Sequence, residues 1–170
     1  MNIKNTAIAV FSTAFLLSGC GTEENTQKES SHKHKAEEIH AEHTAGDLRV
    51  ETKKDTKPAF LAEKPEDMQM LYLAVSQNQK LLEQMPCYCG CGEEAGHKSN
   101  YDCFIYEKKD NGNIVWDDHA TRCGVCMEIA AQSIIDLQDG KTIEEIRKQV
   151  DAKYQKGFAK PTPTPPVEAL

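Results

Sequence analysis

The sequence MPCYCGCGEEAGH, residues 85–97, separates a chain segment with helical periodicity from one without it. It places Cys87, Cys89 and Cys91 at alternate positions. Alternate side chains of extended backbone face the same side, so the three thiols are able to converge on one point. Tyr88 is then left on the opposite side, where it can pack on the rest of the domain. Thiols this close in sequence do not easily pair with one another, so the run indicates binding of something else.

Three further cysteines follow within a window of the chain that ends at residue 126. Two of them form a CxxC pattern at the start of a predicted helix, where the partial positive charge of the helix favours thiolate. Thiolates select soft ions such as Cu(I) and Zn(II). We therefore predict a site for Cu(I) first and Zn(II) second. Its predicted ligands are Cys87, Cys89, Cys91, Cys123 and Cys126, with Cys103, His97 and His119 as secondary candidates.

Two other interpretations of the cysteines remain open. A small exported domain can be held together by disulfides, and each cysteine of the triad would then pair with one of Cys103, Cys123 and Cys126. Alternatively, Cys123 and Cys126 form a pair for thiol–disulfide exchange. The metal hypothesis predicts metal delivery, sequestration or sensing rather than catalysis. No catalytic residue is predicted apart from the alternative redox pair.

Apolar periodicity predicts three helices, over residues 65–85, 121–139 and 142–156. The third begins with the capping box of Thr142 and Glu145. Between the first two helices, FIYEKKDNGNIVW contains two β-prone runs around an Asn-Gly turn, which predicts a hairpin. The expected fold class is mainly α: a small three-helix domain that carries a cysteine-rich loop and a short β-hairpin, flanked by disordered tails.

The N-terminal segment has the features of a lipoprotein signal peptide. A short basic start, MNIKN, precedes the apolar run TAIAVFSTAFLL, which is too short to span a bilayer stably. The sequence LSGC at residues 17–20 resembles the bacterial lipobox. Residues 1–19 are therefore a predicted signal peptide, and Cys20 is the predicted lipidation site. Attached acyl chains would anchor the protein at the extracytoplasmic face of the cell membrane.

The remaining boundaries follow from composition. Residues 20–64 are predicted to be a disordered tether, 65–157 the cysteine-rich helical domain, and 158–170 a Pro-rich disordered tail. A formal net charge of −7 argues against nucleic acid as a partner, which leaves the membrane and a metal-handling or redox protein. Histidine-rich tracts bind transition metals weakly. The tether supplies accessory metal candidates in His32, His34, His40 and His43.

The motifs PCYCGCG, DCF and RCGVCMEIA resemble those of the PCYCGC-motif lipoproteins of bacilli and related Gram-positive bacteria. This resemblance covers roughly residues 58–157 together with the lipobox, and it implies an exported, membrane-anchored protein. The segment from RCGVC to the helix after Thr142 is also similar to the cytochrome c maturation thiol reductases of the CcmH type. That weaker resemblance implies a shared helical hairpin, with Cys123 and Cys126 as the dithiol. The chain departs from the reductases in lacking a C-terminal membrane helix and in adding the CxCxC loop.

Overall fold

A computed structural model of the chain describes residues 38–44 and 46–167. The predicted signal peptide, Cys20, His32 and His34 lie outside the described residues. His40 and His43 lie in a described strand, where their backbone pairs with the strand that follows. Within the described part, none of the helices is long and apolar enough to cross a membrane.

Four antiparallel strands form one sheet in the spatial order β1-β2-β4-β3. The strands are β1 (Glu38–Thr44), β2 (Asp47–Thr52), β3 (Ile105–Lys108) and β4 (Ile114–Asp117). Strand β2 pairs with β4, and Val50 of β2 lies opposite Trp116 of β4. Both side chains are buried, so this pair forms part of the core.

Helices cover much of the rest of the described chain. The α-helices are α1 (Glu66–Gln77), α2 (Gln79–Leu82), α3 (Gly92–Ala95), α4 (Gly124–Gln138) and α5 (Ile143–Tyr154). Short 3-10 helices span Ala59–Leu61, Tyr101–Cys103 and His119–Arg122. The predicted capping box at the start of α5 is present, since the Thr142 hydroxyl and the Glu145 side chain each bond the other's backbone N–H.

The apolar core lies where α1 and α4 meet the sheet. Tyr72 of α1 is fully buried and packs edge-to-face on Phe104, with 4.9 Å between ring centroids. Its hydroxyl donates to the Asp117 carbonyl oxygen at 3.1 Å, which connects α1 to the end of β4. Ile129 of α4 and Ile146 of α5 extend the same core. The core thus holds the end of β4 and the start of α4 in place.

The prediction of a mainly α domain that carries only a short β-hairpin is wrong. The hairpin β3–β4 belongs to a four-stranded sheet, and its other two strands lie between residues 38 and 52, which were expected to be disordered. These residues are ordered because they contact a distant part of the chain: Trp116 Nε1 donates to Thr52 Oγ1 at 2.8 Å, across 64 residues of sequence. The first predicted helix is also divided, because the chain leaves helical geometry at Asn78.

The expected disorder of the C-terminal tail is likewise not found in its described part. Thr162 N–H donates to the Cys87 carbonyl oxygen, and Cys87 N–H donates to Thr162 Oγ1, each at 2.9 Å. Further along, Thr164 Oγ1 donates to the Lys98 carbonyl oxygen at 2.7 Å. Proline fixes an extended backbone but leaves the intervening polar groups free to pair. We call residues 159–164 the C-terminal strap, because they run along the loop that carries Cys87, Cys89 and Cys91, which we call the cysteine loop.

The close approach of the C-terminal strap depends on Gly92. A Cβ atom at this position would lie 2.6 Å from Thr162 Cγ2. Thr162 cannot easily move away, since two hydrogen bonds fix it to Cys87. We therefore expect Gly92→Ala to lower the free energy of unfolding by about 1–3 kcal/mol, the usual cost of overpacking. Urea unfolding would measure this change.

Two variants control this prediction. Gly124→Ala adds the same methyl group where nothing lies within 4 Å, and it should be neutral or stabilising by up to about 1 kcal/mol, since Gly124 begins α4. Adding Thr162→Ser to Gly92→Ala removes Cγ2 but keeps the hydroxyl, and it should restore most of the lost stability. Equal stability of the single and double variants would contradict the proposed steric contact.

Candidate metal centre

Three buried cysteines from distant parts of the sequence meet beneath the cysteine loop. The Sγ atoms of Cys87, Cys103 and Cys126 all lie within 4.8 Å of one another. Those of Cys87 and Cys126 are 3.2 Å apart. All three side chains are almost completely buried, and none of the three is in a disulfide. The arrangement is a compact set of soft donors shielded from water.

A second group adjoins the first and shares one of its cysteines. Ligand atoms of Cys89, His119 and Cys126 also lie within 4.8 Å of one another. Cys123 is the N-terminal cap of α4, and it lies close enough to Cys89 and Cys126 for their thiols to shift its pKa. Five thiols and one imidazole therefore form a continuous cluster. We call Cys87, Cys89, Cys103, Cys123 and Cys126, together with His119, the thiol cluster.

Local structure explains how these side chains come together. Cys103 ends the 3-10 helix before β3, whereas Cys126 lies in the first turn of α4. The buried Asn100 joins these elements: its side-chain amide donates to the Cys126 carbonyl oxygen at 3.1 Å, and its N–H donates to the Met85 carbonyl oxygen at 2.8 Å. Asn100 thus fixes the start of α4 against the end of the chain segment that leads into the cysteine loop.

The cysteine loop is itself held on both sides. On one side, the C-terminal strap pairs with Cys87. Tyr88 points the other way: its ring stacks on Tyr154 with centroids 5.8 Å apart, and its hydroxyl donates to Asp151 Oδ1 at 2.7 Å. The predicted packing of Tyr88 on the helices is thereby confirmed. Anchors on opposite faces hold Cys87 and Cys89 in a fixed position.

His119 is oriented by a carboxylate. Its Nδ1 atom lies 3.1 and 3.2 Å from the two oxygens of the buried Asp47. Arg122 Nη2 donates to the same carboxylate at 2.5 Å, which fixes Asp47 in turn. A carboxylate on one ring nitrogen sets the tautomer and direction of the ring, and metal-binding histidines usually have such a partner. Nε2 is then the nitrogen left to face the thiols.

The electrostatics of the thiol cluster concentrate negative charge on Cys89. Hydrogen bonds from Cys103 first, and then from the other buried thiols, lower the pKa of Cys89 well below its ordinary value. The hydrogen bond to Cys89 is the largest of the effects that raise the pKa of His119 to about 9; burial lowers it and Asp47 raises it. Hydrogen bonding to Cys103, followed by the other thiols and burial, raises the pKa of Cys126. These shifts favour the thiolate form of Cys89 and the protonated form of His119.

The structure separates the predicted ligands into two sets. It brings Cys87, Cys89, Cys123 and Cys126 together, and it adds Cys103 and His119 from the secondary candidates. Cys91 is exposed, and its Sγ lies 4.0 Å from the Cys89 carbonyl oxygen. His97 is outside the thiol cluster, although its ring lies 4.7 Å from that of His119. The CxCxC run thus turns away after its second cysteine, because Cys91 already has helical backbone angles as the cap of α3.

Sequence reasoning missed Asp47 and Asp117. Asp47 begins β2, in the segment expected to be a disordered tether, and Asp117 ends β4. Asp117 Oδ1 accepts the His119 N–H at 2.9 Å, so it supports the same histidine from the other side. The alternation of the apolar Leu48 and Val50 with charged residues in this strand was the available signal, but the strand is too short and polar to be recognised alone.

Comparison with known proteins identifies the family. Residues 9–167 match the family described as protein of unknown function with PCYCGC motif, and the chain belongs to that family. The resemblance drawn from the sequence motifs is thereby confirmed. The similarity to the CcmH-type reductases is not shown. No curated protein matches the chain, and no solved structure matches it.

Proposed function

We propose that this protein binds a soft transition metal ion, Cu(I) or Zn(II), in the thiol cluster and handles that metal at the outer face of the cell membrane. The observation that carries the proposal is the pair of adjoining donor groups: the Sγ atoms of the buried Cys87, Cys103 and Cys126 lie within 4.8 Å of one another, and ligand atoms of Cys89, His119 and Cys126 do so as well. Thiolates in a dry pocket are the donors that these ions prefer. The core ligands are Cys87, Cys89, Cys103 and Cys126, with Cys123 and His119 at the edge.

The surroundings of the thiol cluster support metal binding in two further ways. Asp47 holds His119 in the way that an outer carboxylate holds a metal-binding histidine. The lowered pKa of Cys89 favours its thiolate, which is the form that binds metal. A framework of three disulfides, by contrast, requires separate exclusive pairs rather than one shared centre. These features favour a metal centre over structural disulfides.

Thiol–disulfide exchange is the second candidate function, and the 3.2 Å approach of Cys87 Sγ to Cys126 Sγ favours it. The pair predicted from the sequence, Cys123 and Cys126, fits exchange less well. An attacking thiol needs a lowered pKa. The hydrogen bond from Cys126 lowers the pKa of Cys123, but Cys89 and burial raise it above the ordinary value. Metal binding is therefore the stronger proposal.

Metal titration under anaerobic conditions tests the proposal. The whole chain should carry Cys20→Ala, so that the predicted lipidation cysteine adds no thiol of its own. When this reduced protein is titrated with Zn(II) or Cu(I) against a competing chelator, we expect tight uptake, with the six remaining cysteines reduced by thiol counting and intact mass. Failure of the reduced protein to take metal from the chelator would overturn the metal proposal. A reversible Cys87–Cys126 disulfide in that protein would support exchange instead.

The proposed location depends on Cys20. A diacylated cysteine supplies the affinity for the membrane, because two acyl chains anchor stably where one binds reversibly. We expect Cys20→Ala to release the protein from the membrane fraction, as measured by fractionation after a salt wash. Mass spectrometry of the wild-type N-terminus should show the lipid. A variant that stays with the membrane like the wild type would contradict the lipobox assignment.

A further inference from the structure

His97 is a buried side chain without a polar partner. It is 5% exposed, and neither ring nitrogen has a hydrogen-bond partner among the described residues. Buried polar atoms are almost always hydrogen-bonded to protein, water or a ligand, because a buried atom without a partner has lost its hydration and gained no hydrogen bond in return. An imidazole with both nitrogens unpaired therefore indicates that something binds there.

The surroundings of His97 identify what kind of ligand that is. Ligand atoms of His97, His119, Asp47 and Asp117 all lie within 4.8 Å of one another, and all four residues are buried. The set combines two imidazole nitrogens with carboxylate oxygens, which are ligands of borderline divalent ions such as Zn(II). We propose that His97, His119, Asp47 and Asp117 form a second metal site, for Zn(II) or a similar divalent ion, which shares only His119 with the thiol cluster.

The carboxylates retain the capacity to bind an ion. Asp117 accepts hydrogen bonds from Arg49 Nε at 3.1 Å and from the His119 N–H. Asp47 accepts from Arg122 and faces His119 Nδ1. Each carboxylate offers about four lone-pair positions, so these contacts orient it without using all of them. An ion bound by His119 Nδ1 would replace the proton that His119 shares with Asp47, and binding would release that proton.

An ion has a route to the site. His97 lines an open pocket of about 430 Å³ together with Arg49, Asp102 and Tyr106. It also lines a second open pocket that runs along the C-terminal strap. Of the four residues of the site, His97 is the one that lines both pockets, so an ion that enters either pocket meets His97 first. His119 belongs both to the thiol cluster and to the second site, so the two sites adjoin.

Cobalt binding tests this site, because Co(II) replaces Zn(II) and its absorption spectrum reports which ligands hold it. The protein used is the reduced whole chain carrying Cys20→Ala. Thiolate-bound Co(II) gives an intense near-ultraviolet charge-transfer band, whereas Co(II) bound by nitrogen and oxygen gives only weak visible bands. We expect the wild type to bind ions of both kinds. His97→Leu should lose the ion that lacks the thiolate band and keep the other, and Cys89→Ser should weaken only the thiolate-bound ion.

Controls separate metal loss from misfolding. Tyr101→Phe removes a buried hydroxyl that also has no hydrogen-bond partner among the described residues and belongs to neither group of metal-binding side chains, so it should leave both ions bound. Because His97 makes no hydrogen bond with the described residues, His97→Leu should leave the metal-free chain at least as resistant to urea as the wild type. If His97→Leu does not fold, His97→Gln serves in its place, since an amide is a poor ligand of similar size.

Each result is decisive. Equal cobalt binding by wild type and the His97 variants would overturn the second site and leave the thiol cluster intact. A wild type that binds Co(II) without a thiolate band, but loses that ion in His97→Leu, would support the second site and overturn the proposed thiol centre. A wild type that binds no cobalt would overturn the second site, and the titration with Cu(I) would then decide whether the thiol cluster binds metal.

Discussion

Deletion of residues 21–56 should abolish or severely weaken cooperative folding, although the sequence assigns most of this segment to a flexible tether. The deletion removes β1 and β2, half of the strands of the described sheet. It exposes Trp116, which is fully buried and bonded to Thr52. Loss of packing around a buried tryptophan alone costs about 3–5 kcal/mol. That is comparable with the total stability of a small domain, about 5–15 kcal/mol.

The fluorescence of Trp116, the sole tryptophan, during urea unfolding measures this effect. The matched control is a chain lacking residues 21–36, which lie outside the described residues, so that both strands are kept. We expect the control to unfold like the full chain and the longer deletion to show no cooperative transition, or one at much lower urea. Identical unfolding of the two deletions would mean that β1 and β2 contribute nothing to stability.

Replacement of Cys103 by serine should weaken metal binding far more than the same change at Cys91. Cys103 is fully buried among the thiols, whereas Cys91 is exposed and turned away from them. Loss of a residue that only supports a metal ligand typically costs about 10–100-fold in affinity, so loss of a direct thiolate ligand should cost more than about 100-fold. A hydroxyl does not replace it, because oxygen is a poor donor for soft ions.

Competition of each variant with a chelator for Zn(II) under reducing, anaerobic conditions gives the two affinities. Both variants have the same number of thiols, so a dependence on thiol count alone would lower both affinities equally. Urea unfolding of the metal-free proteins shows whether Cys103→Ser also perturbs the fold, and Cys103→Ala provides a second replacement without a buried hydroxyl. Equal weakening at Cys91 and Cys103 would place the metal outside the thiol cluster.

Helix positions were the part of the fold that local sequence described best. The predicted Thr142–Glu145 capping box starts α5, and α4 ends at Gln138, just before Gly140. Capping and apolar periodicity act between residues three or four positions apart, so they can be read without knowing the rest of the chain. The break in the first helix at Asn78 was missed because the apolar pattern continues across it.

The sheet and the candidate site depend on contacts that no local pattern contains. Asp47 reaches His119 across 72 residues of chain, and Cys87 pairs with Thr162 across 75. Strand β2 is short and partly polar, and it is recognisable as a strand only once it is paired with β4. A segment of such composition resembles a flexible linker until the partner that buries it is known.

The family, the helix boundaries marked by caps and the kind of donor that gathers in this protein can be read from the sequence, because these properties reside in short motifs and residue types. Which donors meet depends on the tertiary structure. It places Cys103 among the thiols, leaves Cys91 outside, and brings Asp47 to His119. The reason is physical: donor chemistry belongs to individual side chains, whereas convergence on one point depends on how distant strands and helices pack around a common core.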